Sequence, residues 1–366
     1  MKQIQILVVM NLEQRYELIT KNTEEVIQPE EVKKLLQEKE KIRAYAGFEI
    51  SGYLHLGTGF VIGKKLKDFA EAGIHTIIFL ADWHSYINDK LGGDMEAIQA
   101  AGEYFEHAMR SVGLDLPNVE YIYSHEIADT SEYWEKVIRI AKHATLTRII
   151  RCLPIMGRKE TEEMNSSWLF YPPMQAADIK QMEIDIALGG TDQRKIHVLT
   201  REVFPKLKWK KPVIIHTPLL MGLTGSSGRM DLTPEELQEL KMSKSKPMSA
   251  IFIHDSPKTV QKKIRKAICP PKEIKNNPVA EIVRLVVFPN LEKFEVSRPE
   301  KYGGDVTYNS WEELVKDYTE GSLSPVDLKN GVTDAINRLL EPVHKYFEKR
   351  KDLLELMSKL TGVPVA

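Results

Sequence analysis

The sequence predicts an α/β protein, with a mostly parallel sheet covered by helices and a mainly helical second domain behind it. Three observations predict this. Short β-branched, apolar runs alternate with longer helical patterns through the first two thirds of the chain, as parallel strands joined by helical crossovers require. Beyond about residue 255 those runs give way to helical periodicity. The chain has 366 residues, 42% hydrophobic and 28% charged, enough for two or three domains with a sizeable core.

The elements follow in order. Residues 1–10 are mildly apolar, too short to cross a membrane, and no small-residue cleavage site follows them; initiation at Met10 is an equal alternative. A strand is expected over 42–50. The turn Gly52-Tyr53-Leu54-His55-Leu56-Gly57-Thr58-Gly59-Phe60 then leads into a helix over 60–72, with Val61, Leu66, Phe69 and Ala70 on one face. Further strands are expected at 75–80, 119–123 and 213–216, with a shorter one at 184–188. Helical stretches lie near 91–113, 131–149 and 192–204. Ser256-Pro257 reads as a cap followed by proline in the first turn. From there helices are expected at 257–268, 278–287, 311–318 and 325–360, the last broken near Pro342. The domain boundary falls near 255, giving units 1–255 and 256–366.

Composition narrows the function. Net charge is −1, so nucleic acid could be met only by local patches. One such patch is 258–275, where Lys258, Lys262, Lys263, Arg265, Lys266, Lys272 and Lys275 outnumber Glu273; it is either a solvated helix face or a phosphate-binding one. Cys152 and Cys269 lie far apart, form no metal-ligand spacing, and fit a reducing cytoplasm. No protein metal site is expected. Neither Gly-x-Gly-x-x-Gly nor a Walker loop occurs, so the usual dinucleotide and P-loop readings fail.

Two stretches carry chemistry. His55 sits on a strand-to-helix turn, where free backbone N–H groups and the positive end of a helix suit an anion; alone, the tripeptide His-Leu-Gly is also an ordinary loop. Lys241-Met242-Ser243-Lys244-Ser245-Lys246, beside glycine-rich 222–228, is either a solvated charge run or a mobile cationic loop. Hydroxyls set between lysines suit phosphate oxygens. In 171–178, Tyr171, Gln175 and Asp178 fall at i, i+4 and i+7, which lines one face of a helix.

His55-Leu56-Gly57-Thr58 resembles the HIGH motif of class I aminoacyl-tRNA synthetases, and Lys241 to Ser245 matches their KMSKS motif letter for letter. The two stand in the family's order on either side of an α/β region. The second histidine of HIGH is Thr58 here, which can donate a hydrogen bond but carries no charge. Tyr171-Pro172-Pro173-Met174-Gln175-Ala176-Ala177-Asp178 resembles the substrate helix of archaeal and eukaryotic tyrosyl-tRNA synthetases. Ala44 to Glu49 and Leu80-Ala81-Asp82-Trp83-His84 also match that group, with Trp83 and His84 read as packing.

The resemblance implies a Rossmann-like catalytic domain over 1–255, including a dimer-forming connective region at about 130–165, and an anticodon-binding domain over 256–366. It implies a cytoplasmic homodimer that joins tyrosine to tRNA(Tyr), using ATP with Mg²⁺ and no permanent cofactor. His55, Lys241 and Lys244 would be catalytic. Gly47, His55, Gly57, Thr58, Asp192, Lys241, Ser243, Lys244 and Ser245 would hold ATP, with Asp192 on its ribose. Tyr171, Gln175 and Gln193 would hold the α-amino group of tyrosine, and Tyr45 and Asp178 its phenol hydroxyl. Tyr302 and Asp327 would read the first anticodon base, where the family's histidine is Ser324. Arg194 would meet the acceptor end, and Cys269 is placed with the tRNA-binding residues. Thr233-Pro234-Glu235-Glu236 reads as a capping box in a segment, 229–240, longer than the family pattern. A tryptophanyl enzyme of the same fold and a non-catalytic RNA-binding paralogue remain the alternatives.

Overall fold

The computed structural model describes residues 10–157, 164–225, 240–242 and 247–364. Ser243, Lys244 and Ser245 lie outside the described residues, as do the 233–236 capping box and residues 1–9 before Met10.

Six strands make the main sheet: β1 Glu25–Ile27, β2 Arg43–Phe48, β3 His75–Leu80, β4 Val119–Tyr123, β5 Ile186–Gly190 and β6 Val213–Thr217. Their order across the sheet is β1-β6-β5-β2-β3-β4. β2 to β6 pair parallel, and β1 closes the β6 edge antiparallel. The α/β expectation is borne out. β5 begins two residues later than 184 and ends in Gly189-Gly190, which carry no strand preference. β1 has three residues, too few for a periodic signal, and was not anticipated.

Two N-terminal helices were also not anticipated. Leu12–Thr20 starts at an Asn11–Gln14 capping box, and Pro29–Glu38 has proline in its first turn. They bury Ile19, Val32, Leu35 and Leu36 against one sheet face. Along β2, Ala44, Ala46 and Phe48 point to that face, whereas Tyr45 points to the other, among Ile77, Phe79, Met174 and Ala177. Side chains alternate along a strand, so Gly47 falls on the Tyr45 face and leaves it uncovered.

The helix Tyr171–Gln181 is buried on nearly all sides, from Tyr171 and Met174 to Asp178 and Ile179. Ala176 and Ala177 let its neighbours approach closely. Beside it lies Ser131–Lys142, capped by Thr130, which buries Tyr133, Val137 and Ile140.

Beyond residue 255 the helices Pro257–Lys266, Trp311–Glu320, Pro325–Phe347 and Lys351–Thr361 predominate, with a small hairpin of β7 Phe294–Val296 and β8 Val306–Tyr308. The break expected near Pro342 is not there. The helix runs through that proline to Phe347, because buried Leu340, Val343 and Phe347 hold the turns on either side. Lys263 also departs from expectation. It is buried, its Nζ donating to Ala250 O at 2.8 Å and Asp255 Oδ2 at 2.6 Å, so it ties helix to loop and leaves the basic face to its neighbours. One apolar core runs from Ile19 to Met357, across the expected boundary. Among the described residues no helix is long and apolar enough to cross a membrane.

Candidate active site

β2 has β3 on one side and β5 on the other. The crossovers leave it in opposite directions, which opens a crevice beyond the carboxyl ends of β2 and β5, where open α/β sheets bind ligands. A cleft lies there. Tyr45, Gly47, His55, Gly57, Thr58, Tyr171, Gln175, Asp178, Asp192, Gln193 and Lys241 all line it. Residues up to 196 positions apart in sequence, from Tyr45 to Lys241, thus meet in one cavity.

At the inner end sit Tyr45 and Asp178, both about 1% exposed. Asp178 Oδ1 accepts from the Tyr133 hydroxyl at 2.7 Å. Its Oδ2 lies 3.5 Å from His84 Nε2. Burial pushes the Asp178 carboxyl well above its usual range, while the Tyr133 hydroxyl pulls it part of the way back. Burial also lowers His84 to about 4, so that ring is neutral at pH 7. The phenol of Tyr45 is raised by burial and by the nearby Asp178.

Above them Tyr171 donates to Glu49 Oε1 at 2.9 Å, and Asn88 Nδ2 donates to the same oxygen at 2.7 Å. Gln175 Nε2 donates to Gln193 Oε1 at 3.0 Å. The paired glycines explain how the β5 loop can turn so tightly. A Cβ on Gly189 would lie 2.6 Å from Gln193 Cγ, and one on Gly190 would lie 2.7 Å from Asp192 Oδ1. Only glycine lets both side chains fold back over the strand end.

The outer half holds His55. It is pinned on both sides, with Leu56 N donating to Ile251 O at 3.0 Å and Ile253 N to Leu54 O at 3.0 Å. Its ring lies against Gly57, where an added Cβ would stand 3.1 Å from Cε1 and 3.2 Å from Nδ1. This contact is the physical reason for the His-x-Gly spacing. The turn feeds a wide helical segment, Gly57–Ile62, which continues as the α-helix Gly63–Glu71. Its N-terminal end faces the cleft with Thr58 in the lining.

Lys241 closes the ring of groups. Met242 N donates to Leu220 O at 2.7 Å and Gly222 N to Leu240 O at 2.8 Å, fixing the base of the lysine loop. Lys241 Nζ then reaches Asp192 Oδ2 at 2.5 Å. Two residues from beyond 255 secure the same base: Glu281 Oε2 accepts from Met221 N at 2.8 Å, and Ile268 N donates to Leu223 O at 3.0 Å.

The residues expected to meet RNA lie elsewhere. Arg194 Nε donates to both carboxylate oxygens of Glu25, at 3.0 and 2.9 Å. Tyr302 is 62% exposed. Asp327 sits in the first turn of Pro325–Phe347, where Ser324 accepts from its N–H at 3.2 Å and donates to its Oδ2 at 2.8 Å. The Cys269 thiol turns inward to the Tyr318 hydroxyl at 3.2 Å. Lys258, Lys262, Arg265 and Lys266 line a groove with Lys329.

Sequence reasoning missed Glu49, Tyr133 and Glu25, and set His84 aside. Only His84 and Glu49 had a signal, since both fall in stretches noted for resemblance. Tyr133 and Glu25 act across 45 and 169 positions, where local pattern says nothing.

The family model for class I tRNA synthetases of tryptophan and tyrosine matches residues 37–341. A tyrosine–tRNA ligase of Thermococcus kodakarensis is 47% identical, over 96% of this chain and 99% of its own. A crystal structure of the Pyrococcus horikoshii tyrosyl-tRNA synthetase complexed with L-tyrosine superposes with a TM-score of 0.90 at 46% identity, covering 96% of this chain and 100% of that one. The Aeropyrum pernix tyrosyl-tRNA synthetase superposes at 0.85 with 40% identity, over 97% of this chain and 100% of that one.

Proposed function

The chain belongs to the class I family of tyrosyl- and tryptophanyl-tRNA synthetases, and from that membership we propose how its own residues perform the reaction. It is a tyrosine–tRNA ligase that uses ATP. Its relatives at 44–47% identity are tyrosine ligases, which leaves the tryptophanyl alternative without support.

In our reading the phenol ring of tyrosine enters the inner end of the cleft. Its hydroxyl donates to Asp178 and accepts from Tyr45. Tyr171, Gln175 and Gln193 take the ammonium group, leaving the carboxylate directed outward. ATP lies over Gly47, with its ribose on Asp192 and its phosphates between His55, Thr58 and the lysine loop of Lys241, Ser243, Lys244 and Ser245. Mg²⁺ enters with ATP as part of the nucleotide substrate. A tyrosine carboxylate oxygen attacks the α-phosphorus, the bond to the bridging oxygen breaks, and pyrophosphate leaves. A hydroxyl of the terminal tRNA ribose then attacks the tyrosyl carbonyl, and AMP departs. No enzyme nucleophile is needed. The chain contributes positioning and charge.

The observation that carries this reading is one cleft with a phenol-sized acid–hydroxyl pair at its inner end and His55, Asp192 and Lys241 around its mouth. ATP–pyrophosphate exchange with each of the twenty amino acids tests it. Exchange should depend on tyrosine. Lys244→Ala should lower the adenylation rate with little change in tyrosine affinity, because charge placed where charge develops stabilises the transition state more than bound substrate. An equal loss of tyrosine binding would count against that role.

Arg194 at the acceptor end, and Tyr302 with Asp327 at the anticodon, complete the proposal, with the Lys258–Lys266 face on phosphates. Cys269 belongs to this group only as support beneath the surface, since its thiol faces inward. We further propose a homodimer. Trp134 and Ile138 stand one turn apart on the exposed side of Ser131–Lys142, at 40% and 64% exposure, and the half-exposed Phe170 ring lies 6.4 Å from Trp134. Exposed apolar groups clustered in this way mark association surfaces.

A further inference from the structure

We propose that Tyr133 is a positioning residue for tyrosine selection, holding the Asp178 carboxylate from behind so that only its Oδ2 edge faces the substrate phenol. The inference rests on the reading that Asp178 receives that phenol.

Tyr133 lies outside the set of residues lining the cleft. It comes from Ser131–Lys142, packed against Tyr171–Gln181, and its side chain is fully buried. Its hydroxyl donates to Asp178 Oδ1 at 2.7 Å. The backbone carbonyl of Met174 stands at 3.5 Å from the same hydroxyl, too far to compete. The carboxylate is therefore the acceptor for this proton.

A helical aspartate has several staggered side-chain orientations. A hydroxyl bonded to one oxygen selects the orientation that leaves the other in the cleft, 3.5 Å from His84 Nε2. Hydrogen bonding to a carboxylate also favours its charged form. The groups facing Asp178 come from four elements: Tyr133 from its helix, Tyr45 from β2, His84 and Asp82 from Asp82–Ile87, and Tyr171 from its own helix. None is a cation, because burial keeps His84 neutral. Among the described residues, the Tyr133 hydroxyl is thus the group that opposes protonation of this acid. A correctly turned carboxyl oxygen accepts from a phenol, most strongly when ionised, and the site penalises phenylalanine by leaving that buried polar group unpaired.

Tyr133→Phe removes the hydroxyl and keeps the ring. ATP–pyrophosphate exchange is measured with tyrosine and with phenylalanine, beside Asp178→Asn and the double variant. The expected result is a rise of about ten- to hundredfold in KM for tyrosine, the scale of a hydrogen bond to a charged group. kcat and the KM for ATP should stay near wild type, which a general loss of structure would not produce. The tyrosine-to-phenylalanine ratio should fall by the same factor, and the double variant should be little worse than Asp178→Asn. Wild-type KM and ratio in Tyr133→Phe, with the ratio lost in Asp178→Asn, would overturn the role of Tyr133 alone. An unchanged ratio in Asp178→Asn would overturn the reading of Asp178, and the inference with it.

Discussion

Truncating Asp178 to alanine leaves the hydroxyls of Tyr45 and Tyr133 around a void and removes the acceptor proposed for the phenol. Selection of tyrosine over phenylalanine should then collapse, measured as the ratio of kcat/KM in pyrophosphate exchange. The scale, about 10⁴–10⁵, is that of a tyrosyl synthetase already characterised in this respect, and not one obtained from these distances. Gly189→Ala tests the tight loop after β5. Its Cβ would stand 2.6 Å from Gln193 Cγ, so Gln193 must swing away and break its bond to Gln175. We expect KM for tyrosine to rise about tenfold, the worth of one such bond, with tRNA affinity unchanged in a filter-binding assay. His254 gives a pH prediction. Burial lowers it to about 3, against about 6.5 in the unfolded chain. Its folded pKa is the lower one, so the stability it contributes is present above pH 6.5 and is lost as pH falls toward 3. The slope approaches about 1.4 kcal/mol per pH unit. In urea titrations, the advantage of wild type over His254→Gln should shrink steadily from pH 7 to pH 4.

Each element that presents a candidate residue has its own way of failing. Asp327 lies in the first turn of Pro325–Phe347, with Ser324 bonded to it, so alanine there would weaken the helix start as well as any base contact. Asp327→Asn keeps an oxygen beside Ser324 and is the cleaner variant. With Tyr302→Ala it should lower aminoacylation by about 1–3 kcal/mol, the range for losing a stacked base, while pyrophosphate exchange stays intact. A parallel fall in both reactions would mean these residues support the fold. The elements also show what a sequence can disclose. β2, β3, β4 and β6 were legible because buried parallel strands read as apolar runs. The helix of Tyr171, Gln175 and Asp178 was legible because its face repeats at helical spacing. β1 was too short to show a period, and Pro342 misled because packing on both sides overrode its local preference. Of the site, the motifs stood in the sequence. The bonds that aim them, Tyr133 to Asp178 and Glu25 to Arg194, exist only after folding brings distant positions together.

Across the whole molecule, the proposed catalytic cleft is not self-supporting. Glu281 and Ile268, both beyond the expected boundary, hold the base of the lysine loop. Glu281→Ala should therefore slow adenylation in single-turnover experiments and leave tyrosine affinity near wild type. Ile138→Glu should convert the proposed dimer to monomer in sedimentation velocity, since a charge cannot be buried there unpaired. The helix Ser131–Lys142 links that outer surface to the choice of amino acid. Its Tyr133 faces Asp178, and the next residue, Trp134, faces outward with its ring 5.7 Å from that of Tyr133. A small molecule that displaced the proposed partner at Trp134 would thus loosen amino-acid fidelity without occupying a substrate site. It would act as a mistranslation agent, and raising cellular tyrosine would counter it, because the loss lies in KM for tyrosine.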